Sequence, residues 1–454
     1  MPTPAPPADV HVPGRAVDRA GLNDLMQLAS DVGPLPMQVA GVLVLDPGPG
    51  FVVDAACDLL ARRAAAVPRL KQRLVRAPLG CGRPYWVADP AFDPRQHVHV
   101  TASTGTGDEA SLLDVALAIS ARRLPWSRPL WSATFVTGLT GGRVALVIVL
   151  HHVVADGMGA LAVLRALVDG HGGPGGSDVL GGRLSRRTLA ADAWAKRLTS
   201  GRHAVAQARR VRRALAELGA ARRVTAPRCS LNRPGGSRRK AVVVRADLAA
   251  VAAAAHAHNA TVNDVVLAAV GGALGVVLAA RGEHVGTVVV SVPVSARLAA
   301  GASELGNRVG VMPVPVPTVG DAWSRLEAVA QATRERRTAT PGDSAAVLQP
   351  AFRALSALGM LRWLVDRQRL VTTFVTNLRG PATPMTFAGA PVTDAVVLSG
   401  MSGNVTVSFA VLSYAGTLTV TVLVDPDHVP EHKTLAVALT AELAALTATP
   451  ARLP

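Results

Sequence analysis

The segment Arg143 to Val154, RVALVIVLHHVV, is a near-continuous apolar, β-branched run, the pattern of a strand buried on both faces. It gives out at Ala155, Asp156, Gly157 and Gly159, turn-compatible residues ahead of the helical pattern ALAVLRALVDG. His151 and His152 therefore fall at the C-terminal end of a central strand, where it feeds a loop. Upstream, the pattern predicts a strand in MQVAGVLVLD from Met37, a helix around Phe51 to Ala66 and a strand in SATFVTGL from Ser132. Downstream it predicts strands in AVVVRADL, in TVVVSVPVSAR, around Val405 to Leu412 and around Thr417 to Val424. The charge-free run Val265 to Ala280, VVLAAVGGALGVVLAA, falls short of the ~20 residues of a bilayer span and reads as a buried helix. Both halves mix helix and strand without regular βαβ alternation, which predicts an α/β protein of two sandwich lobes side by side.

Two breaks divide these halves. HGGPGGS, His171 to Ser177, is a linker by composition, and RPGGSRRK, Arg233 to Lys240, is a second break. Between them, Val205, Ala208, Val211, Leu215 and Leu218 recur at helical spacing, with Arg202, Arg209, Arg210, Arg212 and Arg213 over much of the remaining surface. Such a basic helix suits an anionic membrane surface, and it equally suits a solvated interdomain helix, because its stripe has no aromatic anchor. The expected division is an N-terminal lobe over 1–171, a linker with the basic helix over 172–240, and a C-terminal lobe over 241–454.

Composition narrows the class. A chain of 454 residues suits two domains, and 49% apolar with 17% charged residues is a globular balance. Only the Pro-rich start, MPTPAPPADVHVPG, and the other terminus read as disordered. The net charge of +16 is almost all arginine, since lysine occurs only at Lys71, Lys196, Lys240 and Lys433. A basic surface favours anionic lipid or a phosphorylated co-substrate. With 2 tyrosines and 7 phenylalanines, base-stacking platforms are scarce, so nucleic acid is not an expected partner. Cys57, Cys81 and Cys229 form neither a CxxC pair nor a disulfide framework, which fits a reducing cytoplasm, and no signal peptide is apparent.

The histidine doublet carries the candidate chemistry. Histidine titrates near neutrality, so one imidazole can take a proton from an alcohol as its oxygen attacks a carbonyl. Successive strand residues point to opposite faces, so only one of the pair can face a given cleft. Asp156 stands ready either to orient a ring or to brace the loop through an arginine. By itself such a doublet is also an ordinary feature of a core. Other constellations are weaker: His97 and His99 share a strand face, the arrangement of a zinc pair, but no third ligand follows, and His256 and His258 diverge on a helix, so no metal is expected. Gly105, Gly107 and Ala110 match a loose dinucleotide loop without the acidic residue that binds ribose. There is neither a Walker loop nor a GxSxG elbow.

The motif HHVVADG is accompanied by PMQVAGVLVLD from Pro36, RLKQRLVRAPLGCGRPYWVADPAFDPRQHV from Arg69, RPLWSATFVTGLTGGRVAL from Arg128 and TVNDVVLA from Thr261. SVPVSAR from Ser291, GNRVG from Gly306, TNLRGP from Thr376 and LSYAGTLTVTVLVDPD from Leu412 follow. Over nearly its whole length the chain thereby resembles the bacterial wax ester synthase/diacylglycerol acyltransferase family, whose motif is HHxxxDG. That motif alone is shared with condensation domains and other CoA-dependent acyltransferases; the accompanying blocks in this order are specific. The resemblance implies two chloramphenicol-acetyltransferase-like α/β sandwich lobes around a central tunnel. It implies transfer of a long-chain acyl group from acyl-CoA, a co-substrate, to diacylglycerol or a long-chain fatty alcohol, giving triacylglycerol or wax ester, with no separate cofactor. It implies a cytoplasmic protein, peripheral on the inner membrane or on lipid inclusions.

By the same resemblance His152 is the general base and His151 the less critical neighbour, while Asp156, beside Gly157, shapes the loop. Arg297 is the expected partner of Asp156, by analogy with the wider superfamily. Asn263 and Asp264 match the family's Asn-Asp pair, and Pro129, Leu130 and Trp131 its Pro-Leu-Trp block; both are read as architectural. The opening NDLMQLASDVGPLPM lacks the family's usual aromatic residue, and Gln38 stands where histidine is frequent, which bears on substrate preference. No serine or cysteine nucleophile adjoins the motif, so direct transfer without an acyl-enzyme is expected. Two readings of other classes compete: a condensation-like enzyme fed by an acyl carrier protein, and a non-catalytic lipid-coat protein whose working part is the basic helix.

Overall fold

The structure, a computed structural model, describes residues 17–170, 184–202, 225–295, 309–339, 355 and 358–448. In chain order the first half runs through α1 (Leu22–Ser30), β1 (Gln38–Leu45), α2 (Val53–Ala66), β2 (Gln72–Val75), β3 (Tyr85–Ala88), β4 (Val98–Ala102), α3 (Glu109–Ser120), β5 (Trp131–Thr137), β6 (Val144–His151), α4 (Gly157–Leu167) and α5 (Arg186–Arg202). The second half contributes β7 (Lys240–Asp247), β8 (Thr287–Ser295), β9 (Val309–Pro317), β10 (Thr373–Arg379), β11 (Thr386–Phe387), β12 (Ala390–Leu398), β13 (Val407–Tyr414) and β14 (Thr417–Val424). Its longer helices are Leu248–Ala257, Val262–Ala280, Ala322–Ala339 and His432–Thr447.

The predicted buried strand is the middle of the first sheet, ordered β11-β12-β1-β6-β5-β4. All of β6 is buried because each face has a helical cover. Leu146, Ile148 and Leu150 pack with Leu60 and Ala64 of α2 and Val163 and Leu167 of α4. Ala145, Val147 and Val149 point the other way, towards Leu112, Leu113 and Ala116 of α3 and Leu423 of the second lobe. β1 pairs antiparallel with β6 in unbroken register, from Leu45 opposite Val144 to Gln38 opposite His151.

The second sheet, ordered β7-β14-β13-β10-β8-β9, has parallel pairs at β10 with both β13 and β8. The apolar run read from Val265 forms most of the Val262–Ala280 helix, which is long and apolar enough to cross a membrane. Most of it is buried in this lobe's core, beside Leu326 and Val329 of one neighbouring helix and Leu435 and Leu439 of another. The chain is thus a mixed α/β protein of two layered lobes.

One feature of the topology is not local. β11 and β12, from the second half of the chain, complete the first sheet: β12 pairs with β1, Ala40 opposite Leu398. Tyr414 of β13 anchors that crossing, its hydroxyl accepting from Met385 N and donating to Val392 O, both at 2.8 Å. Across the lobes, Lys240 Nζ lies 2.7 Å from Asp114 of α3, and Arg245 joins Glu109 and Asp394.

Two expectations change in detail. Helix α4 starts at Gly157, earlier than its apolar pattern indicates, because the Asp156 side chain accepts from Gly159 N at 2.8 Å and caps it. RPGGSRRK is a docked segment: Gly236 N donates to the fully buried Asp425 at 2.7 Å, and Arg239 sits 3.7 Å from the same carboxylate. Cys57, Cys81 and Cys229 are free thiols. The linker His171 to Ser177, the basic helix beyond Arg202, Arg297 and the Pro-rich start lie outside the described residues.

Candidate active site

Strand β6 ends at the histidine doublet in a turn fixed from several sides. His151 N donates to Leu130 O at 3.0 Å, the last ladder bond to the β5 side. Val154 N then returns to His151 O at 2.8 Å, closing the turn over His152 and Val153, and His152 N donates to Met37 O at 2.9 Å, just before β1. The Pro-Leu-Trp block is therefore architectural: Leu130 supplies a carbonyl, and Trp131 is buried with its Nε1 on Leu70 O at 2.8 Å.

The two imidazoles have different surroundings. His151 is 2% exposed. Its Nδ1 accepts from Val153 N at 3.1 Å, so in the neutral ring the proton sits on Nε2. That Nε2 faces Asp31 Oδ2 at 3.5 Å, and the Trp126 indole meets the ring edge-on at 5.1 Å between centroids. Asp31, just past α1, also accepts from Met37 N at 3.0 Å and from Arg123 Nη1 at 3.1 Å. Burial is the largest influence on the Asp31 carboxyl and acts upward, but the His151 ring, the Met37 amide and Arg123 outweigh it and hold it below the usual carboxylate range. His152, the next residue, is only half-buried.

Gly157 places this turn at the seam of the lobes. A Cβ on Gly157 would sit 2.6 Å from Leu378 Cδ2 on β10, within TNLRGP, so only glycine allows this approach. On the far face of β10, Asn377 Nδ2 donates to Asn263 Oδ1 at 3.4 Å. The neighbouring Asp264 accepts from Thr261 N at 2.8 Å, from the Thr261 hydroxyl at 2.7 Å and from the Thr333 hydroxyl at 2.8 Å. Asn263 thus meets the strand that Gly157 approaches, while Asp264 is held by Thr261 and Thr333.

A family model described as the wax ester synthase/diacylglycerol acyltransferase catalytic domain matches residues 22–266, and that family's C-terminal domain matches 305–447. The chain belongs to that family. It is an acyltransferase. A probable diacylglycerol O-acyltransferase of Mycobacterium tuberculosis (strain H37Rv) is 31% identical over 429 residues, 90% of this chain and 91% of that protein. Among solved structures, the wax ester synthase/diacylglycerol acyltransferase of Marinobacter aquaeolei VT8 superposes with a TM-score of 0.67 at 22% identity, covering 94% of this chain and 98% of that one. The first condensation domain of the CDA synthetase superposes with a TM-score of 0.63 at 21% identity, covering 97% of each. The acyltransferase shares the fold of both.

Some candidate residues take other duties. His97 Nδ1 lies 2.8 Å from Trp131 O with its ring stacked on that indole at 4.5 Å, and burial lowers its proton affinity, while His99 is exposed. His258 stacks on Trp323. Gly107 serves packing, since a Cβ there would lie 2.4 Å from Gly138 O. Gln38 spends its amide on the chain after α3, Nε2 donating to Ser120 O and Arg122 O and Oε1 accepting from Leu124 N. Sequence reasoning missed Asp31 and Trp126, the neighbours of His151. Neither carries a motif of its own; the one hint is that Asp31 lies within the stretch leading to Pro36 and Met37.

Proposed function

We propose that this acyltransferase moves a long-chain acyl group from coenzyme A to the hydroxyl of diacylglycerol or a long-chain fatty alcohol, with His152 as general base. The observation that carries the assignment is the contrast within the doublet. His151 is buried, with Nδ1 on a backbone amide and Nε2 turned to a carboxylate, whereas His152 is half-buried on a turn at the lobe seam. The His152 imidazole takes the acceptor's hydroxyl proton as the oxygen attacks the thioester carbonyl carbon. The C–S bond breaks, and the departing thiolate of coenzyme A recovers that proton from the imidazolium. The thioester supplies the driving force, so the reaction is written without a further cofactor or a covalent acyl-enzyme. A tunnel along the seam, open to acyl-CoA at one mouth and to the alcohol at the other, completes the proposal.

Asp156 shapes the loop as the cap of α4; its pairing with Arg297 remains part of the proposal. Attachment to a lipid surface has support outside the basic helix. Between Leu358 and Leu370 the chain exposes Met360, Trp363, Leu364 and Leu370 beside Arg362, Arg367 and Arg369, with Trp363 56% and Leu370 60% exposed. The Arg367 guanidinium lies 5.2 Å from the Trp363 ring centroid. An interfacial indole rimmed by arginines suits an anionic lipid surface.

The test is purified protein with labelled palmitoyl-CoA against diacylglycerol and hexadecanol, followed by thin-layer chromatography. Ester from at least one acceptor is expected, and no ester from either sinks the reading. Sedimentation with phosphatidylcholine vesicles, with and without phosphatidylglycerol, tests the surface: binding should need the anionic lipid and weaken in Trp363→Ser.

A further inference from the structure

The amides of His152 and Val153 are consecutive, and each is held by a group that leads back to one carboxylate. His152 N donates to Met37 O, and Met37 N donates to Asp31 Oδ1 at 3.0 Å. Val153 N donates to Nδ1 of His151, whose Nε2 faces Asp31 Oδ2. No other hydrogen-bond partner meets that buried Nε2 among the described residues. Arg123 steadies the carboxylate with Nη1 on both oxygens at 3.1 Å while its Nη2 donates to Gly33 O at 2.9 Å, fixing the connection from α1 to β1.

We propose that Asp31 is a positioning residue for the acyl transfer: it fixes His151 in the Nε2–H tautomer and so sets the backbone turn that presents His152. Val153 N–H needs an unprotonated Nδ1 opposite it, and a neutral imidazole has one protonated nitrogen. A carboxylate accepts only, so it selects the ring form that leaves Nδ1 free to accept. With the ring in the other form, two N–H groups would face each other at Val153 and the turn would have to open. The separation of 3.5 Å is long for a finished hydrogen bond, as catalytic contacts often are before substrate binds. The Asp31 carboxyl, held below its ordinary range, stays ionised and remains a pure acceptor at neutral pH. None of these groups touches the reacting atoms; Asp31 acts through His151 and Met37.

The inference rests on His152 being the base, but its first test needs no turnover. In protein labelled with ¹⁵N-histidine, the His151 ring should appear as the Nε2–H form at neutral pH, assigned by its loss in His151→Ala. A Nδ1–H or rapidly exchanging ring overturns the proposal even if the enzyme is fully active. The second test is Asp31→Asn, which keeps an oxygen for Met37 N and Arg123 but turns an NH₂ towards Nε2. Its kcat should fall about 10- to 100-fold, the range for loss of an outer partner that orients a histidine, with KM for acyl-CoA within about twofold. In the His151→Ala background the same change should cost no further kcat, because the path it acts through is gone. Undiminished kcat in Asp31→Asn, or an equal loss in both backgrounds, overturns the proposal.

Discussion

Each lobe has an aspartate at a helix start, Asp156 as the cap of α4 and Asp264 in the first turn behind the Thr261 cap, and the two starts are put to different use. In the C-terminal lobe Asp264 is closed in on itself, taking Thr261 N, the Thr261 hydroxyl and the Thr333 hydroxyl, deep in the first turn of the core helix. In the N-terminal lobe Asp156 caps α4 through Gly159 N, and the turn before it carries a titratable ring out of the buried strand. The first start holds its own helix in place, while the second follows a turn that carries an imidazole out of a fully buried strand. A buried strand end is the right place for such a group, because the sheet fixes its backbone while the seam gives it access to another molecule.

The contrast is broken most severely at His152. General-base catalysis is typically worth ~10² to 10⁴ in rate, so His152→Ala should lose most of its kcat at unchanged melting temperature, and His151→Ala should lose less activity but more stability. Near-normal turnover of folded His152→Ala, or a trapped acyl-protein, counts against the mechanism. Next comes the seam. Gly157→Val drives a side chain into Leu378, and overpacking of this kind costs roughly 1–3 kcal/mol, so both the melting temperature and kcat should fall together. Asp264→Ala should act on stability only, by at least the ~1 kcal/mol of a lost helix cap, leaving kcat of the folded fraction near wild type. A kcat loss there beyond the drop in folded protein would merge the two starts into one functional unit.

The smallest effect is in pH. Asp31 has a folded pKa below its unfolded value, so its contribution to stability is complete above the unfolded value and fades as pH falls through the folded one. The melting-temperature gap between wild type and Asp31→Asn should hold from neutrality to about pH 5 and close below about pH 4. A gap that widens on acidification would mean the carboxyl is raised instead.

What could be read from the chain follows from range. β6, β1 and the strand-end histidines were legible because burial and periodicity are local, and so was the buried helix from Val265. The start of α4 was misplaced because Gly157 and Gly159 look like turn residues until the Asp156 cap and the approach of Leu378 are seen. Gln38 had an identity that stood out but a duty that did not, since its partners at Ser120, Arg122 and Leu124 are remote in sequence. Asp31 was invisible for the same reason: an acid after a short helix is ordinary, and the histidine it meets, His151, is remote in sequence.

The crossing of β12 onto β1 has a consequence in time. A ribosome delivers β1, β5 and β6 long before Ala390–Leu398, so the nascent sheet carries β1 as a bare edge while the rest of the chain is made. Unpaired edges invite pairing with other chains, and this one belongs to the sheet that holds the histidine doublet. The sheet that holds the histidine doublet is therefore complete only once a strand from the second half of the chain has been made.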